Sequence, residues 1–351
     1  RKGGSPAVWQ TASRSYGAPM GDGGLRQALS TRLRGMDIDA APGQIITTVG
    51  ATHALDVVSR TLLKPGDAVM VEEPGWAVEF ARLDAQGARI LPVPRGPLGP
   101  DLDVMARYCE ASPTGAPPKL FVSVSVLHNP TGQSLSPGHA HRVLQLSHQH
   151  GFYVVEDDTY SHIAPPHATR LCALDGLRQT IYVSGFAKIL APNWRVGFLA
   201  APPELTERLL DTKLLGTLTT PSLLEKALAL CMEQGQLRRH AERIRTRLDQ
   251  ARARSVKLAL AGEFVPDAVN VAGGAVSENV APWLELVRKL GVLVGVLATE
   301  PPESRTVRVS GEIASDDVGV LKLSALRGLF STMTDQQVTF VNAPTLAADR
   351  G

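Results

Sequence analysis

The stretch that decides the fold is residues 182–199, which read YVSGFAKILAPNWRVGFL. A β-like run, Ile181–Val183, ends in the small residues Ser184 and Gly185, and Lys188 follows this turn. A lysine held in a crowded site at a strand end can be made nucleophilic, because desolvation and nearby cations lower its pKa. A single lysine is more often a surface charge, so the interpretation of Lys188 depends on the segments around it.

Short apolar runs alternate with helical stretches through the first two-thirds of the chain, which predicts a mostly parallel sheet covered by helices. Apolar spacing in Thr52–Leu63, Pro137–His150 and Ser222–Arg254 predicts helices, and Pro92–Pro100 predicts a turn. The seven predicted strands are Gln44–Val49, Ala68–Glu72, Ala88–Val93, Lys119–Val124, Phe152–Glu156, Thr180–Val183 and Arg195–Leu199.

Two segments place polar side chains at strand ends. VVEDDTY, residues 154–160, puts Asp157 and Tyr160 after an apolar strand, at the edge where α/β sheets bind ligands. HNPTG, residues 128–132, forms an Asn-Pro turn that would fix the amide of Asn129 toward the same crevice. Each segment by itself fits ordinary turn chemistry equally well.

Two more segments supply a phosphate site and an aromatic ring. In TTVGATHAL, residues 47–55, a strand gives way to a helix, so free N–H groups near Ala51 and the Thr52 hydroxyl can receive a phosphate. An ordinary helix cap is the alternative. In EEPGW, residues 72–76, Trp76 follows a Pro-Gly turn, where it could stack on a ring or pack in the core.

Composition limits the class of protein. A chain of 351 residues is long enough for two domains, and no apolar run approaches the roughly 18 residues of a membrane span. The net charge of +2 does not indicate nucleic-acid binding by this chain. Its three cysteines form no CxxC pair, so we predict no metal site and a cytoplasmic location.

Together these segments resemble the fold-type I enzymes of pyridoxal 5'-phosphate (PLP), the aspartate-aminotransferase superfamily. The resemblance implies an α/β fold with a large PLP-binding domain and a smaller α+β C-terminal domain. It implies a Schiff base on Lys188, with Asp157 on the pyridine nitrogen and Lys188 as the base that moves the substrate proton. The remaining cofactor contacts that it implies are Tyr160 and Asn129 on the ring oxygen, Trp76 on the ring face, a phosphate cup of Ala51, Thr52 and Arg195, and Tyr16 from the partner subunit of a homodimer.

A narrower resemblance is to the MocR group of GntR-family transcriptional regulators. It rests on RGMDIDAAPGQIITTVGATHAL, YGAPMGDGGLRQAL and VEDDTYSHI. In that group an N-terminal winged helix precedes an aminotransferase-like domain. We therefore expect an effector-binding part of a longer regulator, which meets DNA only through a winged helix absent from this chain. The alternative is a free-standing aminotransferase that acts on an amino acid or another small amine, and the site residues cannot decide between the two.

Some features depart from the superfamily. The position three before the lysine is often Ser or Thr, but here it is Gly185, which removes one phosphate donor. We predict that Asn129 and Arg308 bind the substrate. Arg308 would bind the carboxylate of the substrate, and Arg305 is the alternative candidate for this role. The predicted domains are an N-terminal arm at 1–45, a large domain at 46–215 and a small domain at 216–351.

The basic stretch Arg238–Lys257 has two interpretations. It could bind a nucleic acid or a protein partner. The favoured alternative is the solvated face of a long helix, with Ile244, Leu248 and Ala251 turned inward.

Overall fold

The computed structural model describes residues 16–110, 115–165, 167–261, 263–265, 276–298, 306–334 and 336–349. The chain forms two compact units, Arg1–Arg245 and Thr246–Gly351. This division falls later in the chain than the boundary expected near residue 215. The three-part scheme of 1–45, 46–215 and 216–351 stays a prediction.

An eight-stranded sheet forms the centre of the first unit, with the strand order β1-β8-β7-β6-β5-β2-β3-β4. The five strands from β7 to β3 are parallel, whereas β8 is antiparallel to both β1 and β7. The strands are β1 Ile45–Thr48, β2 Ala68–Glu73, β3 Arg89–Gly96, β4 Gly99–Pro100, β5 Leu120–Ser123, β6 Tyr153–Asp157, β7 Thr180–Gly185 and β8 Gly197–Ala200.

All seven predicted strands are present, and the prediction of a mostly parallel sheet is confirmed. The turn expected over Pro92–Pro100 is present but shorter than predicted: it comprises Pro97 and Leu98, between β3, which continues to Gly96, and the short β4 that pairs back onto it. Pro92 and Pro94 fit in the strand because they lie two residues apart, so both missing N–H groups fall on one side of β3.

Helices cover both faces of this sheet. The first unit contains α1 Gly23–Arg34, α2 Ala51–Leu62, α3 Ala77–Ala85, α4 Leu102–Glu110, α5 Pro137–His150, α6 Leu171–Asp175, α7 Pro203–Thr217, α8 Ser222–Glu233 and the first part of α9 Gln236–Leu260. One core cluster lies between α2, α7 and the sheet, and two others pack the opposite face and the β2–β6 side.

Local signals explain where these helices begin and end. Ser136 accepts a hydrogen bond from the His139 N–H at the start of α5, and Gly151 ends that helix in the left-handed conformation. The single helix expected over Ser222–Arg254 is instead two, because Gly235 adopts φ +65° between α8 and α9.

The second unit is helical in its described residues. It contains the last part of α9, α10 Trp283–Leu297, α11 Gly319–Phe330 and α12 Ala343–Asp349. The strands expected of an α+β domain do not appear among these residues, and 306–310 lacks a strand partner there. No helix in the described part of the chain is long and apolar enough to cross a membrane.

The basic stretch Arg238–Lys257 lies on α9. Ile244 packs partly into the first unit, as predicted. Leu248 and Ala251 are exposed, so their predicted inward orientation is wrong. The buried residues of α9 are Leu237 and Ala241, both near its start, because only that end of the helix lies against the core of the first unit.

Candidate functional site

The predicted site residues gather at one edge of the sheet. Strands β2, β5, β6 and β7 run parallel, so their carboxyl ends meet there. Trp76 follows β2, Asn129 follows β5, Asp157 ends β6 and Lys188 follows β7. The start of α2 reaches the same edge, because Thr48 at the end of β1 pairs with Gly197, which in turn pairs with Gly185.

Lys188 lies in an exposed loop between β7 and β8. Its amine makes no hydrogen bond or ion pair with a described residue, and its charge is close enough to Asp157 to favour the ionised carboxylate. Lys188 is therefore accessible to an aldehyde that enters this edge of the sheet.

Asp157 offers one carboxylate oxygen to a ligand. The N–H of Thr159 donates to its Oδ1 at 3.0 Å, and the Thr159 hydroxyl donates to the same oxygen. No described residue donates to Oδ2. Burial raises the pKa of Asp157, while the bonds from Thr159 and the charge of Lys188 oppose this shift. A protonated ring nitrogen facing Oδ2 would supply the missing partner.

Asp158, the next residue, points into the opposite face of the sheet. It is fully buried and accepts from Arg170 Nε at 2.6 Å and from the Tyr182 hydroxyl at 2.9 Å. The two neighbouring carboxylates therefore have different surroundings, because successive side chains along a strand alternate between faces.

Trp76 and Asp157 line one small apolar pocket together with His128. Trp76 is half-buried, which leaves part of its indole ring available to a ligand. Tyr160 is half-buried, and its pKa is raised first by desolvation and then by the charge of Asp157. Asn129 is exposed in the turn that follows His128.

Three glycines bring the start of α2 against β7 and β8. A Cβ added at Gly197 would lie 2.4 Å from the carbonyl carbon of Gly50, and one added at Gly185 would lie 3.3 Å from the Ala51 nitrogen. The Arg195 guanidinium covers Gly50 and donates to the Val49 carbonyl at 3.3 Å. This glycine cradle holds the free N–H groups of Ala51 and Thr52 beside a cation, which suits a phosphate.

Substituting Gly197 with alanine should disrupt the glycine cradle. Because the new Cβ would meet backbone atoms that cannot rotate away, we expect a loss of about 1–3 kcal/mol in stability and weaker phosphate binding. Urea unfolding and PLP titration measure the two effects. Gly138→Ala is the control, since its Cβ meets nothing within 4 Å. Equal behaviour of the two variants would refute the role given to Gly197.

A buried ionic cluster supports the Asn129 turn. Glu72 accepts from Ser123 Oγ at 3.0 Å, and its Oε1 lies 2.6 Å from Arg95 Nη1. His128 Nε2 lies 3.4 Å from the other Glu72 oxygen. The cluster could not be predicted from the sequence, because Arg95 lies among prolines that indicate a loop and only the fold brings it to Glu72.

His128 should make the fold sensitive to acid. Desolvation, together with the charge of Arg95, lowers the pKa of His128 to about 4 from the ordinary 6.5. Between these values the unfolded chain binds a proton that the folded chain does not, so stability falls as the pH falls from 6.5 to 4, by at most about 3 kcal/mol.

The check is urea unfolding at pH 7 and at pH 4.5. The variant His128→Gln should lose part of the pH dependence, whereas a change at the exposed His167 should keep it. An identical pH dependence in both variants would assign the effect to other groups.

Three predicted residues are not joined to this site by a described contact. Tyr16 is 83% exposed, which leaves its predicted contact with a partner subunit untested. Arg308 is exposed and belongs to the second unit, so its carboxylate-binding role stays a prediction. Arg305 lies outside the described residues.

Comparison with known proteins decides the family. The family model "Aminotransferase class I and II" matches residues 8–268. The chain belongs to the aminotransferase class I and II family. This membership confirms the fold and the superfamily recognised from the sequence, and PLP is the cofactor of this aminotransferase family.

This aminotransferase-family chain has relatives of two kinds. It is 28% identical over 248 residues to the uncharacterized HTH-type transcriptional regulator YisV of Bacillus subtilis, covering 70% of this chain and 50% of that protein. The crystal structure of LysN, the alpha-aminoadipate aminotransferase of Thermus thermophilus, matches with a TM-score of 0.64 and 26% identity, covering 82% of this chain and 77% of the other. That structure contains N-(5'-phosphopyridoxyl)-L-leucine.

The end of the chain is similar to a different protein. The model "D-3-phosphoglycerate dehydrogenase intervening domain" matches residues 279–351. D-3-phosphoglycerate dehydrogenase of Mycobacterium tuberculosis is 70% identical over 99 residues, which are 28% of this chain and 19% of that enzyme. The chain thus spans about a fifth of that dehydrogenase and half of YisV. Residues 279–351 thus match a family other than the one from which the small C-terminal domain was predicted.

The residues at the sheet edge fit PLP. With respect to the described residues, Asp157 Oδ2 has a free acceptor position, Lys188 has a free amine, and the glycine cradle presents unbonded N–H groups beside Arg195. These groups match the pyridine nitrogen, the aldehyde and the phosphate of the cofactor, respectively.

Proposed function

We propose that this chain is the PLP-binding effector part of a MocR/GntR-type transcriptional regulator. The observation that carries the proposal is the convergence of Lys188, Asp157 and the glycine cradle at one sheet edge. The similarity to YisV supports a regulator. DNA contacts would come from a winged helix outside this chain, and the signal would be an amino compound that reacts with the bound cofactor.

Each residue has a defined task in this proposal. The cofactor, when bound, supplies an electrophilic aldehyde and an electron-withdrawing ring. Lys188 would hold the cofactor covalently through its amine, and the same amine, when not engaged with the cofactor, could take up a proton from the substrate. Asp157 keeps the ring nitrogen protonated through Oδ2. Arg195 and the amide of Ala51 bind the phosphate, and Trp76 shields one ring face from water.

The second candidate is a free-standing aminotransferase that moves an amino group between an amino acid and a 2-oxo acid. The similarity to LysN favours it, because that enzyme shares the fold over most of both chains. This reaction needs the same Lys188 and Asp157, so the sheet edge serves both functions equally well.

Titration with amines separates the two functions. The protein loaded with PLP receives a panel of amino acids, and its absorbance and the released 2-oxo acid are followed. A sensor should show a reversible spectral change without 2-oxo acid, whereas an aminotransferase should release one equivalent per site. Pyridoxine phosphate, which lacks the aldehyde, is the control ligand. Failure to bind PLP would contradict both functions.

A homodimer forms part of the proposal. Tyr16 is almost fully exposed on the first unit, which supports its use by a second subunit. If Tyr16 completes the neighbouring site, Tyr16→Ala should weaken PLP binding without unfolding the chain.

A further inference from the structure

Helix α10 is strongly apolar, and its second half carries no charged residue. Its sequence, WLELVRKLGVLVGVL, contains three charged residues, Glu285, Arg288 and Lys289, and all of them lie in its first half. A helix of this composition is stable in water only when its faces are covered. The faces of α10 that the rest of the chain leaves exposed therefore indicate where the second unit binds a partner.

One face of α10 is fully covered by α11. A Cβ added at Gly291 would lie 2.1 Å from the Ala325 carbonyl oxygen, and one added at Gly328 would lie 1.9 Å from the Arg288 carbonyl oxygen. The two helix backbones are in direct contact at these glycines. No partner can enter between the two helices at these glycines.

A second face of α10 is open. Five large apolar residues on it repeat at alternating intervals of three and four, which is the spacing of the contact stripe between paired helices. We call these residues the α10 stripe: Trp283 (46% exposed), Leu286 (47%), Leu290 (50%), Leu293 (52%) and Leu297 (72%).

The α10 stripe borders a large apolar cleft. Trp283, Leu286 and Leu290 line this cleft of about 1070 Å³, which lies between α10, α11 and residues 306–315. The stripe exposes roughly 500 Å² of apolar surface, so that two copies together would bury about 1,000 Å², the lower limit of specific interfaces.

We propose that the α10 stripe binds the α10 stripe of a second copy of this chain. In a dimer with a two-fold axis, both copies present the same surface at the interface. Each α10 stripe would therefore meet a stripe with the same spacing of apolar residues. The flanking charges allow this approach, because Glu285 is paired within its helix to Arg288 at 2.7 Å and to Lys289 at 3.9 Å.

Helix α9 does not offer an equivalent stripe. Its exposed large apolar residues are Leu248, Val256 and Leu260, which do not repeat at intervals of three and four. Two arginines, Arg252 and Arg254, lie between them. A second α10 is therefore a better match than α9 for the open face.

Disulfide cross-linking of the full chain tests the proposal. In the double variant Leu290→Cys/Leu293→Cys, oxidation should link two copies in either helix orientation, because position 290 faces position 293 in antiparallel pairing and position 290 in parallel pairing. Leu260→Cys, at a position 80% exposed on α9, is the control, and the native chain reports the background of its own cysteines. Cross-linking no stronger than in these controls would overturn the proposal.

Light scattering over a concentration series gives a second measurement. Because the first unit is itself proposed to form a homodimer through Tyr16, the measured quantity is assembly beyond that dimer. Leu290→Glu/Leu293→Glu should weaken this further assembly at least tenfold, whereas Leu260→Glu should leave it unchanged. Circular dichroism verifies that each variant is folded. Unchanged association of the folded stripe variant would overturn the proposal. Thiols at 290 and 293 that neither cross-link nor react with a thiol reagent would also overturn it, because another part of the same chain would then cover the stripe.

Discussion

Replacing Lys188 with alanine should abolish covalent attachment of PLP. Lys188 is the exposed amine beside Asp157 at the sheet edge, and an alanine has no group that can form the bond. Incubation with PLP followed by borohydride should label the native chain with one equivalent and the variant with none. Peptide mapping should place the label on Lys188.

Lys213 provides a stringent comparison for this result. It is fully buried, desolvation lowers its pKa to about 8, and it donates to the Pro19 carbonyl at 2.5 Å. By pKa alone Lys213 would be a reactive amine, but its burial excludes PLP. Lys64→Ala, in an exposed turn, is the matched control. A label on Lys213, or a full label on the Lys188 variant, would refute the assignment.

Replacing Asp157 with asparagine should weaken PLP binding by about 100-fold. The loss of one partner of a buried charged hydrogen bond costs roughly 2–5 kcal/mol, and asparagine cannot hold the ring nitrogen in its protonated form. Fluorescence titration of the purified variant with PLP measures the affinity. The bonds from Thr159 to Oδ1 should survive, so the fold should be retained.

Asp158→Asn should affect stability instead of PLP binding. This substitution weakens the buried pair with Arg170, so it should lower the free energy of unfolding by about 3 kcal/mol while folded molecules keep their PLP affinity. Measuring affinity and unfolding for both variants gives a crossed comparison. Equal losses of affinity in both would contradict the assignment of Asp157 to the cofactor.

The sequence predicted the first unit well because its signals are local. Strands such as Thr180–Gly185 are apolar runs between turn residues, and α5 has a serine cap and a terminal glycine. The carboxyl ends of parallel strands share an edge, so Asp157 and Lys188 could be grouped before the fold was known.

Long-range features were not predictable in this way. Glu72 and Arg95 form an ion pair only because β2 and β3 are neighbours. Gly185 was interpreted as the loss of a phosphate donor, whereas the fold shows that its missing side chain lets β7 approach α2. In the second unit, Arg308 was assigned by resemblance to a small domain, and the residues around it match another family.

The alternation of Asp157 and Asp158 divides two tasks between adjacent positions of one strand end. Asp158 stabilises the fold through its hydrogen bonds with Arg170 and Tyr182. Among the described residues, the side chain of Asp157 is hydrogen-bonded only to Thr159 in the following turn. If Asp157 contacts the ring nitrogen as proposed, a substitution there would change the electronic character of the bound cofactor and leave the Asp158 anchor of the fold in place.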